Sequence, residues 1–227
     1  MQIGLVCDNC TYTHSNSFDI VPYYINRMNK YNNSYDNIFL TNEQIKDQTC
    51  YIYNDTLPYS QEYSRILKQL DSEFIIYSQE DQILYNNIDV DMLEFIKEYL
   101  KNTEYHYCRL IRQQKELNNV FKNLYKSNDK FSMQPTIWKK ESLIKIMDSV
   151  IVDKIFEESK FDIVMNYYPG LFYYNQESKR GIDHYDSSIW PYIATAIVKG
   201  KWNISEYQVE IKNLFFEYDI KTTRDFR

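Results

Sequence analysis

The residues best suited to chemistry in this 227-residue chain are two adjacent carboxylates, Glu80 and Asp81, just beyond the apolar run FIIY at 74–77. Such a run reads as a buried strand, and in an open α/β sheet ligands bind beyond the carboxyl ends of the strands. Paired carboxylates there, flanked by Ser78, Gln79 and Gln82, suit a hard divalent cation with oxygen ligands. A solvated turn is the plainer alternative. Lys199 and Lys201 flank Gly200, either meeting phosphate or simply standing in solvent. Cys7-x-x-Cys10 has the spacing of a redox motif, but Asp8-Asn9 fills its middle. Cys50 and Cys108 are single and distant, so no second pair completes a zinc site. Structural, free thiols in a reducing, cytoplasmic compartment are expected.

These groups need elements to hold them, and the periodicity alternates between strand and helix. Short apolar or β-branched runs at 3–7, 37–40, 50–53, 74–77, 105–111, 171–174 and 193–198 predict strands. Helical spacing predicts helices over 17–31, 60–70, 135–147, 149–159 and 203–218, and one begun by Asp89, whose carboxylate accepts orphan N–H groups at a helix start. Strands interleaved with helices predict a single α/β domain with a mixed, mainly parallel sheet flanked by helices. Its two halves are 1–112 and 113–227.

Composition removes several classes. Four glycines are too few for a P-loop or a Gly-rich dinucleotide fingerprint. A net charge of -6 with no basic block argues against nucleic acid. No window approaches 18 apolar residues, so no transmembrane segment is expected, and MQIGLVCDNC is too short and uncharged for a signal peptide. The 23 tyrosines should mostly replace Leu and Phe in the core, a few meeting a sugar with an amphipathic ring.

The stretch EFIIYSQEDQILYNNIDVDMLEFI resembles nucleotide-sugar glycosyltransferases of the GT-A fold, in particular small bacterial, phage and giant-virus members similar to family 2. In those, a helix bearing a Tyr and an Arg, here Tyr63 and Arg65, precedes a hydrophobic strand ending in an acidic metal-binding motif. That motif normally has Asp-x-Asp or Glu-Asp-Asp where this chain has Glu80-Asp81-Gln82. FSMQPTIWKKESL and HYDSSIWPYIATAIVKGKWN resemble the acceptor-side and C-terminal segments of the same enzymes, so the likeness covers most of the chain.

The resemblance implies a Rossmann-like GT-A domain that moves a sugar from a UDP- or GDP-sugar donor to a glycan or other hydroxyl acceptor, with Mn2+ or Mg2+. It implies Asp81 and His184 at the metal, and Glu80, Arg65, Lys199 and Asp8 at the nucleotide, Asp8 gripping the base from the end of the first strand. Gln134, Trp138 and Trp190 fall in the acceptor segments. The base that deprotonates the acceptor falls on Glu157 or Glu158, with Glu157 preferred because it follows Phe156. His14 and His106 lack such context and read as structural. The departure at Gln82 keeps an alternative open: a non-catalytic carbohydrate-binding protein or degenerate transferase scaffold.

Overall fold

The computed structural model describes residues 6–112, 114–128, 130–180, 184–222 and 224–227. Along the chain run β1 (Cys7–Tyr12), α1 (Val21–Tyr31), β2 (Asn37–Thr41), β3 (Thr49–Ile52), α2 (Tyr59–Leu67), β4 (Phe74–Gln79) and α3 (Val90–Lys101). The second half contributes β5 (Tyr107–Arg109), β6 (Asn119–Phe121), β7 (Leu124–Lys126), β8 (Thr136–Lys139), α4 (Lys140–Ser149), α5 (Asp162–Met165) and β9 (Gly170–Tyr173). Two small hairpins, β10 (Lys179–Arg180) with β11 (His184–Tyr185) and β12 (Ile197–Val198) with β13 (Lys201–Trp202), precede α6 (Gln208–Tyr218).

Nine strands form one sheet in the order β3-β2-β1-β4-β8-β5-β9-β7-β6. β3, β2, β1 and β4 are parallel. α1 carries the crossover from β1 to β2 and α2 that from β3 to β4, while β2 reaches β3 through residues 42–48 without a helix. β8 enters antiparallel between β4 and β5, and β9 returns parallel to β5. The mixed, mainly parallel α/β sheet expected of a Rossmann-like, GT-A-type domain is therefore present.

Strand alternation divides the core between two faces. Phe74 and Ile76 of β4 point to a cluster with Tyr24, Met28, Leu93, Ile96, Trp190, Trp202 and Leu214. Ile75 and Tyr77 point to the other, with Tyr63, Ile66, Leu67, Trp138, Leu143 and Met147. A strand covered on both faces needs apolar residues at every position, which is why FIIY is uninterrupted. The same alternation sends Cys7 to one face and Cys10 to the other, and all four cysteines are free. The described helices include none long and apolar enough to cross a membrane.

Some segments differ from expectation. The first described strand is β1, and residues 3–5 of the strand expected over 3–7 lie outside the described residues. β1 escapes a hydrophobic reading because its buried polar groups are satisfied internally. Asn9 Nδ2 donates to Tyr24 Oη (3.1 Å) and Asn37 Oδ1 (2.9 Å), Ser78 Oγ donates to Asn9 Oδ1 (2.9 Å), and Thr11 Oγ1 lies 2.7 Å from Tyr24 Oη. Residues 136–139, expected as helix, form β8, where Thr136, Ile137 and Trp138 pair with both β4 and β5 before α4 begins. In 149–159 an extended stretch precedes a 3-10 segment, Ile155–Phe161.

Candidate functional site

The carboxyl ends of the parallel strands converge on a cleft of about 490 Å³. β1 delivers Tyr12 and His14, β2 Leu40, the end of β3 Tyr53 to Asp55, and α2 Tyr59, Glu62, Tyr63 and Ile66. Lys154 to Phe156 close the far side. One wall is aromatic: Tyr12 and Tyr53 stack at 5.1 Å with planes 10° apart, and Tyr59 meets Tyr12 edge-on at 5.1 Å. Flat rings of this kind offer a face to a planar or sugar-like ligand.

The rim of the cleft is polar and braced. Asn42, just beyond β2, donates from Nδ2 to Ser15 Oγ (3.0 Å) and Asp55 Oδ2 (3.0 Å), and accepts the Ser15 N–H at Oδ1 (2.8 Å). His14 accepts the Asn16 N–H at Nδ1 (3.1 Å) and places Nε2 3.4 Å from Asp55. The loops after β1, β2 and β3 are thereby tied together beside the aromatic wall.

Glu80 and Asp81 follow β4 on the same edge of the sheet. Burial pushes the Glu80 carboxyl up, against the pull of the Ser17 hydroxyl and of Arg224 and His14 nearby. Asp81 is pushed up to about 8 by burial and then by Glu80, with the Ile197 N–H at its carboxyl opposing the shift. Two carboxylates that repel one another out of water are a place where a cation is favourable. Gln82, the departure from the acidic motif, is an internal brace. Its Oε1 accepts the Gln79 N–H (2.9 Å) and its Nε2 donates to Met133 O (2.9 Å).

Among the described residues no group of three or more His, Cys, Asp or Glu side chains is assembled to hold a metal. A cage made by protein alone therefore does not fit. The pair Glu80 and Asp81 fits an ion of the Mg2+ or Mn2+ type shared with phosphate oxygens, which takes one or two carboxylates and keeps other positions for phosphate and water.

The two adjacent glutamates have opposite environments. Glu157 pairs with Lys160 at 2.9 Å, which holds its carboxyl below the usual range. Glu158 is pushed up to about 7 by burial, against the Met133 N–H, with Asp162 adding and Arg109 opposing. Its Oε2 is buried without a hydrogen-bond partner. Met133 links it to the acidic loop, since Gln79 and Gln82 both donate to Met133 as well. Of the two, Glu158 is the one turned inward, and Glu157 is engaged with Lys160.

Other expected site residues lie elsewhere. Asp8 is in register with Ile75 and Tyr12 with Gln79, so Asp8 stands four residues, roughly 13 Å, from the ligand-facing edge. Its neighbours there are Ser72, Asp36, Lys140 and Asp71. Trp138 and Trp190 are core residues rather than an acceptor wall, each 1% exposed. Trp138 packs on Tyr107 at 4.4 Å. Arg65 turns its fork to Glu62, with Nε donating to Oε1 (2.9 Å) and Nη2 to Oε2 (2.8 Å), and also reaches Ile52 O. It braces the cleft instead of lining it. His184 meets Glu206 at 3.2 Å, and among the described residues it belongs to no group of three or more metal-binding side chains. Lys199 is exposed in the tight Lys199-Gly200 turn between β12 and β13, where both residues have positive φ, 51° and 77°. Gln134 accepts a hydrogen bond from Tyr192 Oη next to the buried Pro135.

The cleft lining was largely invisible in sequence. His14 has no sequence context that marks it yet faces the cleft, as do Tyr12, Asn54, Asp55 and Glu62. The one available signal was position after a strand, and for β1 that required its end to be placed at Tyr12.

No family model matches the chain, and no curated protein matches it. Among solved structures, the bifunctional IspDF of Campylobacter jejuni is similar at 13% identity and TM-score 0.45, covering 79% of this chain and 52% of that one. The mannosyltransferase PcManGT of Pyrobaculum calidifontis, in complex with GDP-Man and Mn2+, is similar at 9% identity and TM-score 0.46, covering 77% and 58%. A CMP:2-keto-3-deoxy-manno-octonic acid synthetase complexed with CTP gives 7% identity and TM-score 0.49, covering 79% and 93%. This chain thus spans little more than half the length of the first two. None of these likenesses assigns a role to a residue here.

Proposed function

We propose that the chain is a nucleotide-sugar-dependent glycosyltransferase whose donor nucleoside lies in the tyrosine-walled cleft and whose diphosphate is directed to Glu80 and Asp81. The observation that carries this reading is the pair of part-buried, mutually repelling carboxylates at the carboxyl end of β4, beside a cleft with an aromatic wall. A bound Mn2+ or Mg2+ would supply electrostatic stabilisation of the departing diphosphate. Asp81 and Glu80 would hold that ion from the protein side.

Glu158 is the group suited to the acceptor. In its ionised form it takes the proton of the attacking hydroxyl, general-base work for which a carboxyl near neutrality is well matched. The acceptor oxygen then bonds to the anomeric carbon as the bond from that carbon to the diphosphate oxygen breaks. The bonding electron pair leaves with the diphosphate. Gln134, near the same Met133 segment, is a candidate acceptor contact, and the acceptor is a glycan or other hydroxyl compound.

Calorimetry with UDP- and GDP-sugars in Mn2+ tests the reading: binding that is lost in Asp81→Asn, with the far-UV circular dichroism unchanged, is expected. Absence of nucleotide binding under every divalent metal would overturn it. Gln82 in the position of a third acidic residue favours the second reading, a scaffold that binds without transferring. Donor hydrolysis separates the two, being expected of the transferase and not of the scaffold.

A further inference from the structure

Arg224, far from the acidic loop in sequence, ends beside it in space. Its Nε donates to Asp19 Oδ2 (2.5 Å) and its Nη2 to Asp19 Oδ1 (2.6 Å), a bidentate fork. Nη2 also reaches Asn16 O (3.2 Å), and Nη1 reaches Gly200 O (3.3 Å). The residues around Arg224 are anchored independently. Trp202 N–H donates to Asp225 O (2.9 Å), Arg227 N–H donates to Trp202 O (2.8 Å), and Trp202 Nε1 donates to Thr222 Oγ1 (3.0 Å). One guanidinium thus clasps the loop 14–20 and the β12–β13 turn together.

Those two segments are the ones that reach the carboxylates. Ser17, in the first, meets the Glu80 carboxyl, and Ile197, at the start of β12, presents its N–H to Asp81. Ala196 N–H also donates to Asp81 O (3.0 Å), fixing the backbone of the acidic loop to the residue just before β12. We propose that Arg224 is a positioning residue of the candidate ion site, setting the separation of Glu80 and Asp81 by holding Ser17 and Ile197 in fixed relation. With its fork engaged on Asp19 and two backbone carbonyls, Arg224 acts through these segments, not by touching the donor. The proposal rests on the reading of Glu80 and Asp81 given above.

Outer residues that orient ligating groups typically cost about 10–100-fold in metal affinity when removed. Arg224→Ala is therefore expected to weaken Mn2+-dependent UDP or GDP binding by about tenfold or more, with nucleotide affinity in EDTA and the melting temperature unchanged. Arg224→Lys should not rescue it, because an ammonium cannot make the fork. Asp19→Asn, which keeps Arg224 in place, should give a smaller loss in the same direction. Hydrogen exchange of the metal-free protein reads the clasp by itself: Arg224→Ala should speed exchange in 14–20 and 196–201 together, leaving β4 unaffected.

Equal losses with and without Mn2+, wild-type affinity in Arg224→Ala, or exchange unchanged in both segments would each overturn the proposal. A wild-type protein that binds no Mn2+–nucleotide would instead remove the site itself, even with the exchange result intact.

Discussion

At the scale of single residues, the candidate site is a set of carboxyl groups whose environments differ more than their sequence contexts do. Asp81 and Glu158 are both pushed up by burial, to about 8 and about 7, whereas Glu157 is held low by Lys160. A carboxyl whose folded pKa lies above its unfolded value stabilises the fold fully below the unfolded pKa and loses that contribution as pH rises through the folded one. The contribution of these two groups to stability without metal should therefore decline from about pH 4 towards pH 8. Asp81→Asn should flatten that decline and raise the melting temperature at pH 8, by roughly 2–4 °C for about each 1 kcal/mol relieved. Thermal melts of both proteins across this pH range check the slope, and an unaltered profile would show Asp81 to be solvated. On activity, Glu158→Gln should lower kcat by about 100-fold or more, the usual size of a general-base contribution, while Glu157→Gln stays near wild type. The rate should rise through about pH 7 as Glu158 ionises.

Elements place those residues, and here close packing decides what can change. Gly170 opens β9 in register with Tyr107 of β5. A Cβ added at Gly170 would lie 2.1 Å from Tyr107 Cζ. The ring has little room to move, since it packs against Trp138 at 4.4 Å and its hydroxyl donates to Ser127 Oγ at 2.9 Å. Gly170→Ala should therefore destabilise by about 2 kcal/mol through overpacking, or about 4–8 °C in melting temperature. A wild-type melt would mean that Tyr107 relaxes. Element type was legible wherever the pattern was strong: β4 from its apolar run, α3 from its Asp89 cap, whose Oδ1 does accept the Met92 N–H at 3.0 Å. It failed where tertiary contacts supplied what the local sequence lacked. β1 carries buried Asn9 and Thr11 because Tyr24, Asn37 and Ser78 satisfy them, and β8 is a strand because β4 and β5 both pair with it.

Taken whole, the molecule is a twin-cored sheet with its functional edge at one end, and no described cluster of metal-binding side chains supports either core. EDTA should thus leave the melting temperature of the ligand-free protein unchanged. Mn2+ with nucleotide at 100 times its Kd should raise stability by about 2.7 kcal/mol, read as a shift of about 5–11 °C. A large destabilisation by EDTA alone would instead reveal a structural ion.

The sequence by itself determined the alternation of strands and helices, the exclusion of glycine-rich phosphate cradles, and an acidic pair at the end of a buried strand. Those features are local: each depends on residue types within a few positions of one another. Only the tertiary structure decided that Asp8 stands at the opposite edge from Asp81, that Trp138 and Trp190 are core, and that Glu158 rather than Glu157 turns inward. It also brought Tyr12, Asp55, Tyr59 and Lys154 around one cleft, and Arg224 to Asp19. Burial and electrostatic neighbourhood are set by contacts between residues distant in sequence, and these are the properties that turn an ordinary carboxylate into a candidate ligand or base.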